Sequence, residues 1–366
     1  MRYPLITLSI VILLLSCKKG DDKPDDSQPD AETIYFPPVG GTDWQAVTPQ
    51  SLGWNTAAMQ PLYDYLESQQ TRAFIVLKNG KIVIEKYFGL NNAGMAFNQN
   101  SVWQWASAGK TLTSFVVGKA QQEGFLNIND KTSQYLGAGW TSAPAAKENL
   151  ITVRHQLTMT SGLDDGVANS DDASPPNLKY KADAGMRWAY HNAPYTLLQK
   201  VVANATSQSF DSYFDAKLKT KIGMDGQWYV AADNHVYWST ARSMARFGIL
   251  IQAKAKWNGV DILNDDAYYN AMVNTSQNIN KSYGYLWWLN GKGSYMVPQS
   301  QLVFQGNMSD SAPSDMLAAL GKDGQILNVI PSKGLVVVRM GSTPNGGLVS
   351  LDLQENIWQR LKQVVQ

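Results

Sequence analysis

In the stretch WQWASAGKTLTS, residues 103–114, Ser107 and Lys110 stand three positions apart at what reads as the start of a helix. Residues i and i+3 share a helix face and can touch. A serine in the first turn also has a backbone N–H with no intrahelical acceptor, and such a group can hold a developing oxyanion. The apolar flanks, Trp103, Trp105 and Ala106 before and Leu112, Phe115, Val116 and Val117 after, predict burial. Burial disfavours a charged amine and draws a lysine pKa toward neutrality, as a lysine base requires. The pair therefore suits a nucleophile beside its base. Standing alone, so short a pattern reads more readily as a capping serine and a surface lysine.

A second stretch, MRWAYHNAPYTLLQKVV at 186–202, places Tyr190 and Asn192 on either side of His191, just ahead of a helical apolar pattern. A tyrosine hydroxyl near a lysine can relay a proton to a leaving group. An asparagine amide can donate to a substrate carbonyl and bond a neighbouring lysine. Alone, these residues read as a buried tyrosine and a helix-capping asparagine. Other chemistries lack their signatures. The three histidines, His155, His191 and His235, are far apart and form no metal-binding pair, so no metal or other cofactor is expected. There is no Gly-x-Ser-x-Gly elbow, Walker loop or dinucleotide fingerprint. His155 reads as a packing residue, and His191 as lying behind the site or at the surface.

The elements that must position these residues follow from pattern. The chain has 366 residues, 44% hydrophobic, enough for one large domain or two subdomains. Its 31 basic and 30 acidic residues balance, and no basic run interleaves with aromatics, so a nucleic-acid partner is not expected. AFIVLKNGKIVIEKYFG (73–89) predicts two strands joined at Asn79-Gly80, a strong hairpin signal. A helix precedes it, in TAAMQPLYDYLESQQ. From Ser107 to about Met272, helical segments alternate with polar loops. Strands return in QILNVIP (325–331) and GLVVVRMG (334–341), and an amphipathic helix ends the chain. The simplest assembly joins both ends into one antiparallel sheet flanked by the terminal helices, with a helical lobe between and a cleft where the lobes meet. Trp188, Trp287 and Trp288 read either as core or as the lining of that cleft.

The N-terminus reads differently. Arg2 and an apolar run from Leu5 to Leu15 fit a signal peptide. LLLSC resembles the lipobox of bacterial lipoproteins, which implies cleavage before Cys17 and a lipid on its sulfur. Cys17 is the only cysteine. KKGDDKPDDSQPDAE follows, too polar to fold, and reads as a tether. The expected organisation is a signal peptide over 1–17, a flexible acidic tether over 18–35 and one catalytic domain over 36–366. Within it, an α/β lobe spans about 36–105 and 280–366, and a helical lobe about 106–279. The chain is expected to be exported and lipid-anchored to a bacterial membrane. Nothing implies an oligomer.

Taken together, the Ser-x-x-Lys and Tyr-x-Asn elements resemble, in order and separation, the serine β-lactamase and penicillin-binding family. The Tyr-x-Asn form resembles its class C β-lactamase and esterase branch, as do ITVRHQLTMTSGLDD (151–165), IGMDG (222–226) and STARSMARFGIL (239–250). The likeness runs over about 54–341. It implies the α/β (α+β) β-lactamase/transpeptidase-like fold, with Ser107 as nucleophile, Lys110 as its base, Tyr190 as the catalytic tyrosine and Asn192 as the motif asparagine. The family's third motif, Lys-Thr-Gly or His-x-Gly, falls at ALGKDGQILNVIP (319–331), with Ala319 in place of the cation and Gly321 as the glycine. Lys322-Asp323-Gly324 is the alternative register. ALGKDGQ resembles the Ala-x-Gly-x-x-Gly-Gln form of 6-aminohexanoate-dimer hydrolase-like and esterase-like members, which implies the Lys322 N–H as second oxyanion donor. Without a cation at 319, a β-lactam carboxylate lacks the partner that the family pattern gives it. The family implies a small ester, amide or peptide-like substrate. A true β-lactamase or D,D-peptidase and a catalytically idle, lipid-anchored binding module are the alternatives.

Overall fold

The structure is a computed structural model that describes Met1, residues 33–344 and residues 346–365. The expected signal peptide beyond Met1, Cys17 and most of the tether lie outside the described residues. Ile34–Gln366 forms one compact unit. Among the described residues no helix is long and apolar enough to cross a membrane.

Helix α1 (Met59–Ser68) leads into β1 (Thr71–Lys78) and β2 (Lys81–Tyr87). Asn79 and Gly80 turn between them with φ of 46° and 80°, the paired positive values that match a two-residue hairpin to the strand twist. The chain then passes through a short strand, β3 (Trp103–Gln104), into α2 (Lys110–Gln122). Helix α3 (Asn192–Thr206), the hairpin β4 (Gln227–Ala231) and β5 (Asn234–Ser239), and α4 (Ala241–Gln252) follow. The last part supplies β6 (Trp288–Leu289), β7 (Leu317–Gly321), β8 (Gln325–Ile330), β9 (Leu335–Gly341) and α5 (Leu351–Val364).

Both ends of the chain meet in one six-stranded antiparallel sheet, ordered β2-β1-β9-β8-β7-β6, as the two distant strand-rich runs predicted. Every residue of β8 and β9 is buried, because both faces of the sheet are covered. On one face Gly248 of α4 abuts Leu327 and Val336. On the other, the Trp358 indole of α5 donates to Asn328 at 2.9 Å, and α1 rests against α5. Leu327 and Asn328 are sequence neighbours, so their side chains leave the sheet on opposite faces. Full burial of one such apolar side chain contributes about 1.5–3 kcal/mol.

The middle of the chain departs from the expected run of helices and polar loops. Residues 227–239 form a hairpin, and β3 adds to it as a third strand, Trp103 pairing with Ser239 and Gln104 with Trp238. Its turn carries Ala232 at φ 51° rather than a glycine, so no Asn-Gly or Asp-Gly signal marked it.

Candidate active site

The chain approaches Ser107 from an anchored strand end. The Trp105 N–H donates to Tyr237 O at 2.8 Å, and its indole donates to Ser239 Oγ at 2.7 Å. Ala106 then adopts φ 46°, a left-handed conformation uncommon outside glycine, asparagine and aspartate. Held this way, it costs about 1–3 kcal/mol. That kink throws the chain into a 3₁₀ turn, Ala106–Gly109, which runs straight into α2. Ser107 lies in its first turn, where the backbone N–H lacks an intrahelical acceptor.

Lys110 opens α2, and its Nζ donates to Ser107 Oγ at 2.7 Å. The expected burial holds, for Lys110 is only 4% exposed. Burial pulls its pKa down to about 7, and the charge of Asp171 pushes the other way. Two aromatic rings flank the amine, Tyr190 with its centroid 4.9 Å away and Tyr195 at 4.5 Å. Near neutrality the amine is thus divided between its charged and basic forms, beside a hydroxyl.

Burial raises the Tyr190 pKa well above the ordinary phenol value, and the neighbouring Ser107 hydroxyl pulls it the other way. Tyr190 is therefore a neutral phenol at physiological pH, a proton donor rather than a base. Its ring is clamped, stacked on Trp288 (centroids 5.7 Å, 22°) and edge-on to Tyr283 at 6.3 Å. Trp188, Trp287 and Trp288 are all buried, so they belong to the core, and Trp288 also backs the tyrosine.

Asn192 begins α3, and its Nδ2 donates to Asp171 Oδ1 at 2.7 Å. Its Oδ1 is buried without a partner. Its second Nδ2 hydrogen and the Oδ1 acceptor match the two roles the sequence allows it, donation to a substrate carbonyl and a bond to a neighbouring lysine. His191, between the two, is 2% exposed with both ring nitrogens unpartnered, so it lies inside and not at the surface. Burial lowers its pKa to about 4. His155 serves a helix start: its Nδ1 accepts from the Thr152 N–H at 3.1 Å in a capping box.

Strand β7 ends against the nucleophile turn. A Cβ on Gly321 would fall 2.5 Å from Trp105 O and 3.1 Å from Ser107 N, so only glycine lets the two segments approach this closely. Gly321 is thus the glycine that meets Ser107, while Lys322–Gly324 forms the turn beyond the strand. The Lys322 N–H opens that turn and its side chain is exposed. Ala319 is buried and points to the same side of β7 as Gly321, bringing no cation. Arg339 brings no cation to Ser107. It is wholly buried and donates to backbone oxygens behind the turn.

The structure thus brings Ser107, Lys110, Tyr190 and Gly321 together, with Asn192 joined to the lysine's surroundings through Asp171. Two residues went unnoticed in the sequence. Asp171 sits in a polar loop, NSDDASPPN, with nothing to single it out. Tyr195 lies five residues past Tyr190, on the same helix as Asn192. Among the described residues no group of three or more metal-ligating side chains is gathered to hold an ion.

Comparison with known proteins gives the fold and the family. The β-lactamase family model matches residues 64–359. An uncharacterized protein of Alkalihalophilus pseudofirmus is 23% identical over 296 residues, covering 72% of this chain and 81% of that protein. Among solved structures, a Bacillus anthracis protein provisionally named a 6-aminohexanoate-dimer hydrolase superposes with a TM-score of 0.64 at 17% identity, covering 91% of each chain. A penicillin-binding protein from Bacillus halodurans superposes with a TM-score of 0.60 at 17% identity, covering 81% of this chain and 98% of its own. These likenesses show a shared β-lactamase/transpeptidase fold. With the family model spanning most of its length, the chain belongs to the serine β-lactamase and penicillin-binding protein family, a family of serine hydrolases.

Proposed function

We propose that this chain hydrolyses ester or amide bonds of small substrates through an acyl-enzyme on Ser107, as an esterase or amidase of the class C-like, 6-aminohexanoate-dimer hydrolase-like branch. The carrying observation is the 2.7 Å contact between Ser107 Oγ and the buried Lys110 Nζ, an amine whose pKa lies near 7. In its neutral form Lys110 takes the Ser107 proton as Oγ attacks the carbonyl carbon. The N–H groups of Ser107 and Lys322 hold the resulting oxyanion. Tyr190, protonated at working pH, gives its proton to the leaving group and recovers one from the Lys110 ammonium. Water then attacks the acyl group, the same two residues take its proton, and Ser107 leaves as the alcohol.

The surroundings favour a substrate without a carboxylate. Ala319 stands where the family pattern has a cation, and Asp171 lies close enough to act on Lys110. Both weigh against the rival reading, a β-lactamase or D,D-peptidase. We further propose that the protein works outside the cytoplasm, tethered to the membrane by a lipid on Cys17.

Purified protein assayed against short p-nitrophenyl esters, nitrocefin and D-amino acid amides tests the reading, together with a fluorophosphonate probe. Ester turnover with the probe on Ser107 is the expected result. Probe on a different serine, or no turnover and no labelling, would overturn it, the latter in favour of a binding module. Nitrocefin turnover exceeding every ester would favour the β-lactamase.

A further inference from the structure

The two oxyanion donors of the proposed function come from segments far apart in sequence, so something must fix their spacing. The turn that carries the Lys322 N–H is held by its carbonyls. Gln325 Nε2 donates to Lys322 O at 3.2 Å, and Arg339 Nη1 donates to Asp323 O and Gly324 O, each at 2.8 Å. Asp323 sits there at φ 60° without being a glycine, so the turn needs that support.

Arg339 and Gln325 are both 0% exposed. Among the described residues Arg339 has no carboxylate partner. Its other N–H groups donate to Thr71 Oγ1 at 3.1 Å, to Gln69 O at 2.7 Å and to Ser342 O. A guanidinium buried among carbonyls and one hydroxyl, with no carboxylate, is a costly choice in a largely apolar sheet.

Gln325 closes a two-way bond with Gly341: Nε2 donates to Gly341 O at 2.6 Å and Oε1 accepts from Gly341 N at 3.1 Å. The same Gly341 carbonyl accepts from the Trp103 indole at 3.1 Å. Trp103 lies on β3, the strand that delivers Ser107. One carbonyl of β9 therefore ties the arm bearing Ser107 to the arm bearing Lys322, and Gly321 brings the arms into direct contact.

We propose that Arg339, Gln325 and Trp103 are positioning residues that set the separation and aim of the two oxyanion N–H groups, without touching substrate. This rests on the acyl-enzyme reading above.

The test starts from wild-type protein that turns over a p-nitrophenyl ester and carries the fluorophosphonate on Ser107. Wild type that does neither removes the acyl-enzyme reading itself, whatever the variants do. Gln325→Met is then compared with Asn328→Leu, a buried polar deletion on the same strand whose partners, Gln354 and Trp358, lie away from the turn. Gln325→Met should lower kcat about tenfold or more, short of the roughly 10²–10³ that an outright lost donor costs. KM should stay within about twofold, and phenylboronic acid, whose tetrahedral adduct fills the oxyanion hole, should weaken in step with kcat. Arg339→Lys should lose less than Arg339→Met. Asn328→Leu should lower Tm and leave kcat and boronate affinity at wild type. A folded Gln325→Met with wild-type kcat and boronate affinity overturns the proposal, as does an Asn328→Leu that loses as much. If Gln325→Met does not fold, Trp103→Phe, which deletes one donor to the Gly341 carbonyl, is read by the same two outcomes.

Discussion

The Asn192 amide donates to Asp171 across 2.7 Å, so the carboxylate that opposes the drop in the Lys110 pKa is held by a residue only two positions past Tyr190. The lysine's basicity thus depends on a polar loop as well as on its own helix. Asp171→Asn should lower the Lys110 pKa further, because it removes the one influence that raises it. Activity needs the neutral amine, so the acid limb of the kcat/KM profile should move to lower pH. A limb that stays in place, or moves up, refutes the assignment.

Burial of Lys110 has a stability consequence of definite sign. Its folded pKa, about 7, lies below the unfolded value, so between the two the unfolded chain binds more protons. Stability from this group rises with pH from about 7 to about 10 and is lowest, and level, below that window. Lys110→Met should therefore abolish turnover yet raise stability at pH 7, by on the order of a few kcal/mol. Its melting temperature should also lose the rise seen in wild type between pH 7 and 10. A variant less stable than wild type at pH 7 would contradict this.

Ser107→Ala removes the nucleophile from a half-buried turn without touching the core. Turnover should fall by at least roughly 10³-fold with the melting temperature nearly unchanged. Full activity in this variant, measured on any ester that wild type hydrolyses, would end the serine mechanism.

Tyr190→Phe keeps the ring stacked on Trp288 and deletes only the proton donor. We expect kcat to fall about 10²–10⁴-fold, as for loss of a general acid–base group. The loss should shrink for substrates with good leaving groups, such as p-nitrophenolate, which need no proton to depart. An equal loss for poor and good leaving groups would place the tyrosine's role elsewhere.

Gly321→Ala would set a methyl 2.5 Å from Trp105 O and 3.1 Å from Ser107 N. Strand and nucleophile turn would have to part. Overpacking of this kind costs about 1–3 kcal/mol. Activity should suffer more than stability, and a folded Gly321→Ala variant with wild-type kcat would show that the close approach is not needed.

Much of this was legible in the sequence, and for local reasons. Asn79-Gly80 marks its hairpin because the turn demands two positive φ values, and the runs in β8 and β9 are mostly apolar because helices cover both faces. The Ser107 and Lys110 pairing follows from helix geometry. What escaped is set by contacts between distant segments. The 227–239 hairpin is anchored by Trp103 and Trp105, not by its own turn. Asn192 bonds Asp171 across the loop, and no spacing rule links them. Nothing local to Arg339 says which way it points, and strand register turns it toward the carbonyls of the Lys322–Gly324 turn.

Helix α2 is buried on every side from Lys110 to Gly118. Lys110 thus rides on one of the least yielding parts of the molecule, and the amides of α2 should exchange with solvent only when the whole domain opens. Adaptation to a new substrate cannot come from tilting that helix. It must come from neighbouring segments such as the 163–177 loop, whose Asp171 acts on Lys110. Laboratory evolution of this scaffold should accumulate changes there and leave α2 untouched.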